Sequence, residues 1–127
     1  MLINARTGGV VAREVELADS RASRRKGLLG RDSLAPSSAL ILVPCFSIHT
    51  AFMRFPIDVV FVDRAGVVVR AVRHIGPWRA AASLRGHAVI EMAAGSLESI
   101  DLQVGDRLYL AAEPAPAGEA VTWAISA

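Results

Sequence analysis

The sequence contains a single cysteine, Cys45, which excludes an intrachain disulfide and a cysteine-rich zinc site. It also lacks any apolar run near the roughly 20 residues that a membrane-spanning helix requires. Residues 1–14 contain two arginines and no apolar h-region of the kind found in secretory signals. These absences predict a protein that does not span a membrane, and a cytoplasmic location is expected.

Lysine is nearly absent, since 13 of the 14 basic residues are arginine, and the net charge is only +2. Aromatic residues make up 6%, which leaves few rings for stacking on nucleic-acid bases. One basic cluster stands out: Arg21, Arg24, Arg25, Lys26 and Arg31. Because the other bases are scattered among acidic residues, nucleic acid is an unfavoured partner, and a nucleic-acid-binding module that uses residues 21–31 is retained only as an alternative.

Apolar residues are abundant: 53% of the 127 residues are hydrophobic and 20% are charged, which suits one folded domain over residues 1–127. A helix is predicted near residues 21–29, a helical turn at 96–100 and a linker-like segment at 113–118. Seven short strands predict a mainly β fold, a single compact antiparallel barrel-like or sandwich domain with one short helix. The predicted strands are 10–17, 39–43, 57–63, 67–72, 88–92, 107–111 and 121–125.

Residues 45–55 lie between two prolines and fit two different structures. On a helix, Cys45, His49 and Met53 would share one face and could suit Cu(I). On a strand, four residues span about 13 Å, which is too far for one metal ion to bridge. The Phe, Ile and Thr residues and the flanking prolines favour the strand, so neither a metal site nor a cofactor is expected.

Cys45 and His49 are also the residues on which an enzyme could be built. A cysteine nucleophile needs a neighbouring base or cation that lowers the pKa of its thiol, and Asp58 could fix the tautomer of the histidine. The local sequences typical of cysteine hydrolases are missing. A Cys/His-dependent enzyme that uses Cys45 and His49 is therefore an alternative hypothesis.

Asp58 and Glu91 each lie inside an apolar predicted strand. An isolated carboxylate is too costly to bury, so we expect Arg54 or Arg24 to pair with Asp58. One interpretation is a structural ion pair that fixes the turn at Pro56. If the polar side chains instead converge on a cleft near this turn, a small polar ligand could bind there. The predicted ligand-binding residues are Arg24, Met53, Arg54, Asp58 and Glu91.

Several motifs within residues 17–110 resemble the uncharacterised bacterial and archaeal family DUF192, also called UPF0127. The first is a basic helix followed by glycine and leucine, Arg24-Arg-Lys-Gly27-Leu-Leu-Gly-Arg31. An aromatic-Met-basic turn, Phe52-Met53-Arg54, precedes an apolar-Asp-apolar strand, Ile57-Asp58-Val59, that ends in an acid and a glycine, Asp63 and Gly66. Two later glycine motifs are Ile90-Glu91-Met-Ala-Ala94-Gly95 and Gly105-Asp106. The sequence departs from the family at Leu29, where methionine is frequent, and in the alanine-rich stretch after Trp78. The resemblance implies a compact, mostly β domain and carries no established activity.

The sequence as a whole therefore predicts a non-enzymatic module of the DUF192 type. We expect it to bind a small polar ligand, or to act as an accessory module for a protein partner, through a polar cleft near the Met53–Asp58 turn.

Overall fold

The computed structural model describes residues 1–112. The elements are, in chain order, β1 (Leu2–Asn4), β2 (Val10–Ala12), β3 (Glu14–Ala18), α1 (Arg21–Lys26), β4 (Ser38–Leu42), β5 (Ser47–His49), β6 (Ile57–Val62), β7 (Val68–Ile75), β8 (Ala80–Ala82), β9 (Ala88–Ala93), a 3₁₀ turn (Ser96–Glu98) and β10 (Leu108–Leu110). The predicted linker at 113–118 and the predicted strand at 121–125 lie outside the described residues.

The largest sheet has five strands in the order β3-β4-β9-β6-β7. β3 and β4 run parallel, whereas the other neighbours are antiparallel. Every residue of β6 is buried because both faces of the sheet are covered, which explains why its residues other than Asp58 are all apolar instead of alternating with polar ones. The mainly β class is confirmed. Among the described strands this sheet is mixed and open, with β3 and β7 at its edges.

Two hydrophobic cores lie on opposite faces of the five-stranded sheet. One face packs against a three-stranded sheet with the order β10-β1-β2, and Leu2, Val60 and Ile90 belong to their shared core. The other face is covered by Leu28, which follows α1, and by Ile48 of β5. The layers therefore resemble a sandwich. The three-stranded sheet of this sandwich contains β1, a strand that no sequence pattern indicated.

α1, the one α-helix within residues 1–112, is shorter than the predicted helix at 21–29. It begins with reciprocal hydrogen bonds between Ser20 and Ser23, a capping box, and its C-cap is Gly27, with a φ of 46°. Leu28 follows at once and is buried in the second core. The basic residues of the helix therefore stand directly above that core.

The hairpin predicted at 57–63 and 67–72 is present as β6 and β7. Gly66 has a φ of 81°, the positive value that a tight connection between strands requires. Asp63 Oδ1 accepts hydrogen bonds from the backbone N–H groups of Ala65 and Val67, which stabilises the turn. β7 extends to residue 75, beyond its predicted end.

Residues 45–55 form neither one strand nor one helix. Only β5 is extended, and it pairs with β8. The buried Thr50 hydroxyl then donates to the Gly76 carbonyl at 2.6 Å and accepts from the Arg79 N–H at 2.8 Å. The Met53 N–H donates to the Thr50 carbonyl, so this turn returns Met53 to the second core. Contacts more than 25 positions away along the chain thus decide the local structure.

No helix within residues 1–112 has the length and apolar character needed to cross a membrane.

Candidate functional site

A cavity of about 260 Å³ opens on the second face of the large sheet, beneath the C-terminal end of α1. We call it the Glu91 cavity. It is lined by residues 24–29 together with Leu42, Cys45, Ser47–His49, Met53 and Glu91. Its volume is slightly below the range of about 300–1,000 Å³ that is typical of small-molecule sites, so only a small ligand fits.

Glu91 lies on the central strand β9 and is only 5% exposed. Its Oε2 atom is buried and has no hydrogen-bond partner among the described residues. Burial raises the pKa of Glu91 to about 7, although the positive charge of Arg31 acts in the opposite direction. Since most buried polar atoms in folded proteins are hydrogen-bonded, this oxygen is an exception that calls for an explanation.

Three cations from α1 line the same cavity, and we call Arg24, Arg25 and Lys26 the basic rim. Arg25 and Lys26 are exposed, and Arg24 is half-buried. Arg24 Nη1 donates to the backbone carbonyls of Asp19 and Val43 at 2.9 and 3.3 Å. None of the three forms a salt bridge within the described part of the chain, so their positive charge is not neutralised.

Apart from Glu91, the buried part of the cavity lining is apolar and consists of Leu28, Leu42, Ile48 and Met53. The cavity therefore combines exposed cations, an apolar wall and one buried carboxyl group.

Asp58 lies on the opposite face of the sheet from Glu91. In the register of β6 and β9, Asp58 is opposite Met92, whereas Val59 is opposite Glu91. Asp58 Oδ1 accepts from the His74 N–H at 2.8 Å. Its Oδ2 accepts from the N–H groups of Gly95 and Leu97 at 3.1 and 2.9 Å. The expected pairing of Asp58 with Arg54 or Arg24 is wrong, because backbone donors saturate this carboxylate.

Arg54 does not line the Glu91 cavity. Its Nη1 donates to Asp32 Oδ1 at 2.6 Å, and both side chains are largely exposed. The five predicted ligand-binding residues therefore separate: Arg24, Met53 and Glu91 share the cavity, whereas Arg54 is on the surface and Asp58 is sealed beneath the other face.

Cys45 and His49 both line the cavity, but their arrangement does not activate the thiol. Cys45 Sγ donates to the Ser47 carbonyl at 3.1 Å, and burial raises the pKa of the thiol. Asp58 cannot orient His49 because it lies across the sheet. In the described ranges no group of three or more His, Cys, Asp or Glu side chains could hold a metal ion.

Sequence reasoning missed Arg25, Lys26, Leu42 and Ile48 as cavity residues. The two cations belong to the basic cluster, whose position over β9 is set by the tertiary fold. Leu42 lies within the predicted strand at 39–43, and nothing in its local pattern distinguishes a cavity wall from a closed core.

Two relatives of this chain are named only as UPF0127 proteins. A UPF0127 protein of Pyrococcus furiosus is 32% identical over 114 residues, which cover 84% of this chain and 95% of that protein. A UPF0127 protein of Thermococcus sibiricus is 32% identical over 117 residues, 85% of this chain and 73% of the relative.

Two solved structures share the fold. A protein of unknown function from Novosphingobium aromaticivorans superposes with a TM-score of 0.72 at 21% identity, over 86% of this chain and 83% of that one. A candidate transcription regulator from Sinorhizobium meliloti 1021 gives a TM-score of 0.68 at 24% identity, over 74% and 78% of the two chains. The DUF192 family model, described as uncharacterized ACR, matches residues 3–110. The chain therefore belongs to the DUF192 family.

Proposed function

We propose that this protein is a non-enzymatic module that binds a small polar ligand in the Glu91 cavity. The observation that carries the proposal is the buried Glu91 Oε2 atom, which has no partner within the described residues yet belongs to the lining of an open cavity. A ligand that donates a hydrogen bond to this oxygen would remove the cost of its isolation.

The energetics favour a ligand over a purely structural role. An unsatisfied buried polar group costs about 1–3 kcal/mol, and a leucine in its place would remove that cost. The carboxyl group is therefore a poor choice for packing alone. Near its pKa of about 7 it can accept a hydrogen bond when ionised or donate one when protonated, which suits polar recognition.

The same cavity supports binding better than catalysis. Burial holds the Cys45 thiol in its protonated form at neutral pH, and a protonated thiol is a weak nucleophile.

The proposal is tested by screening a library of small polar compounds against the isotopically labelled protein and following its backbone amide signals by NMR. We expect some compounds to shift the signals of Ile48, Met53 and Glu91 together. These shifts should disappear in Glu91→Leu and persist in Glu14→Gln, which changes an exposed carboxylate outside the cavity. If no compound moves these signals, or if Glu91→Leu binds the same compounds equally well, the proposal is wrong.

A further inference from the structure

The distribution of charge within the Glu91 cavity restricts the chemistry of its occupant. The basic rim is exposed or half-buried, whereas the buried part of the lining consists of four apolar side chains and Glu91. A ligand that satisfies all three zones needs an anionic end, a short aliphatic body and a hydrogen-bond donor at the other end.

Single-charge ligands satisfy only one end of this arrangement. A simple amine could neutralise Glu91 but would be repelled by three cations on its way in. A simple carboxylate would be attracted by the rim but would leave the Glu91 oxygen without a donor. A molecule that carries both charges matches both ends.

We propose that the occupant of the Glu91 cavity is a short aliphatic zwitterion, with an ammonium group at Glu91 and a carboxylate or phosphate at the basic rim. This inference rests on the proposed ligand-binding function. An ammonium group supplies three N–H donors as well as the balancing charge, so it can satisfy the buried oxygen that has no partner among the described residues.

The length of the ligand is tested with a series of probes measured by isothermal titration calorimetry. The series is β-alanine, 4-aminobutyrate, 5-aminopentanoate and 6-aminohexanoate, with 3-aminopropyl phosphate as the phosphate probe. Butylamine and butyrate are the single-charge controls. We expect at least one zwitterion to bind ten or more times more tightly than either control.

Matched variants separate the two ends of the site. Glu91→Gln should lower the affinity for the best probe at least tenfold. The double variant Arg25→Gln, Lys26→Gln should lower it by a similar factor. Arg21→Gln removes a cation from the same helix but outside the cavity lining, and it should leave the affinity unchanged. Thermal unfolding of each variant shows whether a loss of binding reflects a loss of fold.

The direction of the pH dependence identifies the group that meets Glu91. An ammonium ligand requires the ionised carboxylate, so its affinity should fall by up to tenfold per pH unit below pH 7. Glu91→Gln should abolish this slope. The charged or titratable groups nearby are the three rim cations, Arg31, Cys45 and His49. The titration is repeated in His49→Gln, which removes the imidazole from the cavity lining.

The outcomes distinguish this inference from the proposed function. If butylamine or butyrate binds as tightly as the zwitterions, or if affinity rises on acidification in His49→Gln, the zwitterion proposal is overturned. If no zwitterion binds while other polar compounds still shift the signals of Ile48, Met53 and Glu91, the zwitterion is wrong and the ligand-binding function stands. If neither set binds, both proposals fail.

Discussion

Asp58 and Glu91 are buried carboxyl residues on adjacent central strands, but they have opposite environments. Asp58 accepts three backbone hydrogen bonds, which join β6 to His74 and to the turn around residues 95–97. Glu91 has a buried oxygen with no hydrogen-bond partner in residues 1–112, and it lines a cavity. The difference teaches that burial alone does not distinguish the two carboxylates, and that the unsatisfied oxygen beside the cavity is what makes Glu91 the candidate for ligand binding.

The register of the two strands creates this difference. Asp58 is opposite Met92 and shares its face, whereas Glu91 is opposite Val59 and points to the other core. One residue of offset therefore assigns one carboxylate to a closed layer and the other to the cavity beneath α1. We interpret Asp58 as structural and Glu91 as available for binding.

The largest effect is expected for Asp58→Ala. This change leaves the N–H groups of His74, Gly95 and Leu97 without their acceptor, and hydrogen bonds to charged groups contribute about 1.5–3 kcal/mol each. Allowing for water at the more exposed donors, we expect the free energy of unfolding to fall by about 4 kcal/mol in urea denaturation.

Asp19→Asn is the control for this loss, because the Asp19 side chain is exposed and makes no hydrogen bond in the described structure. It should leave stability nearly unchanged. A loss of under about 1 kcal/mol in Asp58→Ala would mean that its hydrogen bonds do not hold the fold.

The next effect is a pH-dependent change in stability from Glu91. Its pKa is about 7 in the folded protein against 4.5 as the ordinary value, so the folded state binds a proton more tightly than the unfolded state. This stabilising contribution is fully present below pH 4.5 and is lost as pH rises through 7. The difference corresponds to about 3 kcal/mol.

Glu91→Gln measures this contribution because it removes the titration while nearly preserving the shape of the side chain. We expect the variant and the parent protein to have similar stability at pH 4, and the variant to be more stable by about 3 kcal/mol at pH 8. Parallel stability curves from pH 4 to 8 would show that Glu91 is ionised and well solvated in the folded protein.

Cys45 provides a third, smaller test of the chemistry of the cavity. Because burial raises the pKa of its thiol, iodoacetamide should modify Cys45 more slowly at pH 7 than it modifies a free thiol of ordinary pKa. The rate should rise about tenfold per pH unit as thiolate forms. Mass spectrometry follows the single alkylation site, and rapid modification at pH 7 would favour the Cys45 enzyme hypothesis instead.

The smallest effect is expected for Arg54→Ala. The ion pair of Arg54 with Asp32 is exposed at both ends and lies outside the cavity lining. Exposed pairs contribute about 0–1 kcal/mol, so stability should change by less than about 1 kcal/mol and ligand binding should not change. A loss of ligand binding in this variant would show that Arg54 does take part in the binding site.

The sequence predicts the regular part of this fold well, because the signals there are local. The β6–β7 hairpin follows from two largely apolar runs of strand length and from Gly66, which supplies the positive φ of the connection. Residues 45–55 could not be predicted in the same way. Thr50 determines that turn through hydrogen bonds to Gly76 and Arg79, and no periodicity within the segment reports such distant contacts.

The candidate site was only partly predictable for a related reason. Both faces of the large sheet are covered, so Asp58 and Glu91 look equivalent in sequence, as polar residues within buried strands. Only the strand register separates their faces. The expectation that Arg54 pairs with Asp58 failed because three backbone N–H groups, which no side-chain pattern reveals, already satisfy that carboxylate.

The most direct test is a carbon-13 NMR titration of the Glu91 side-chain carboxyl in the free protein. A buried group without an internal donor should titrate with a midpoint of about 7. A midpoint near 4.5 would mean that the group is solvated or already paired. The Glu91 carboxyl would then lack no hydrogen-bond partner that a ligand could supply, which would contradict the account.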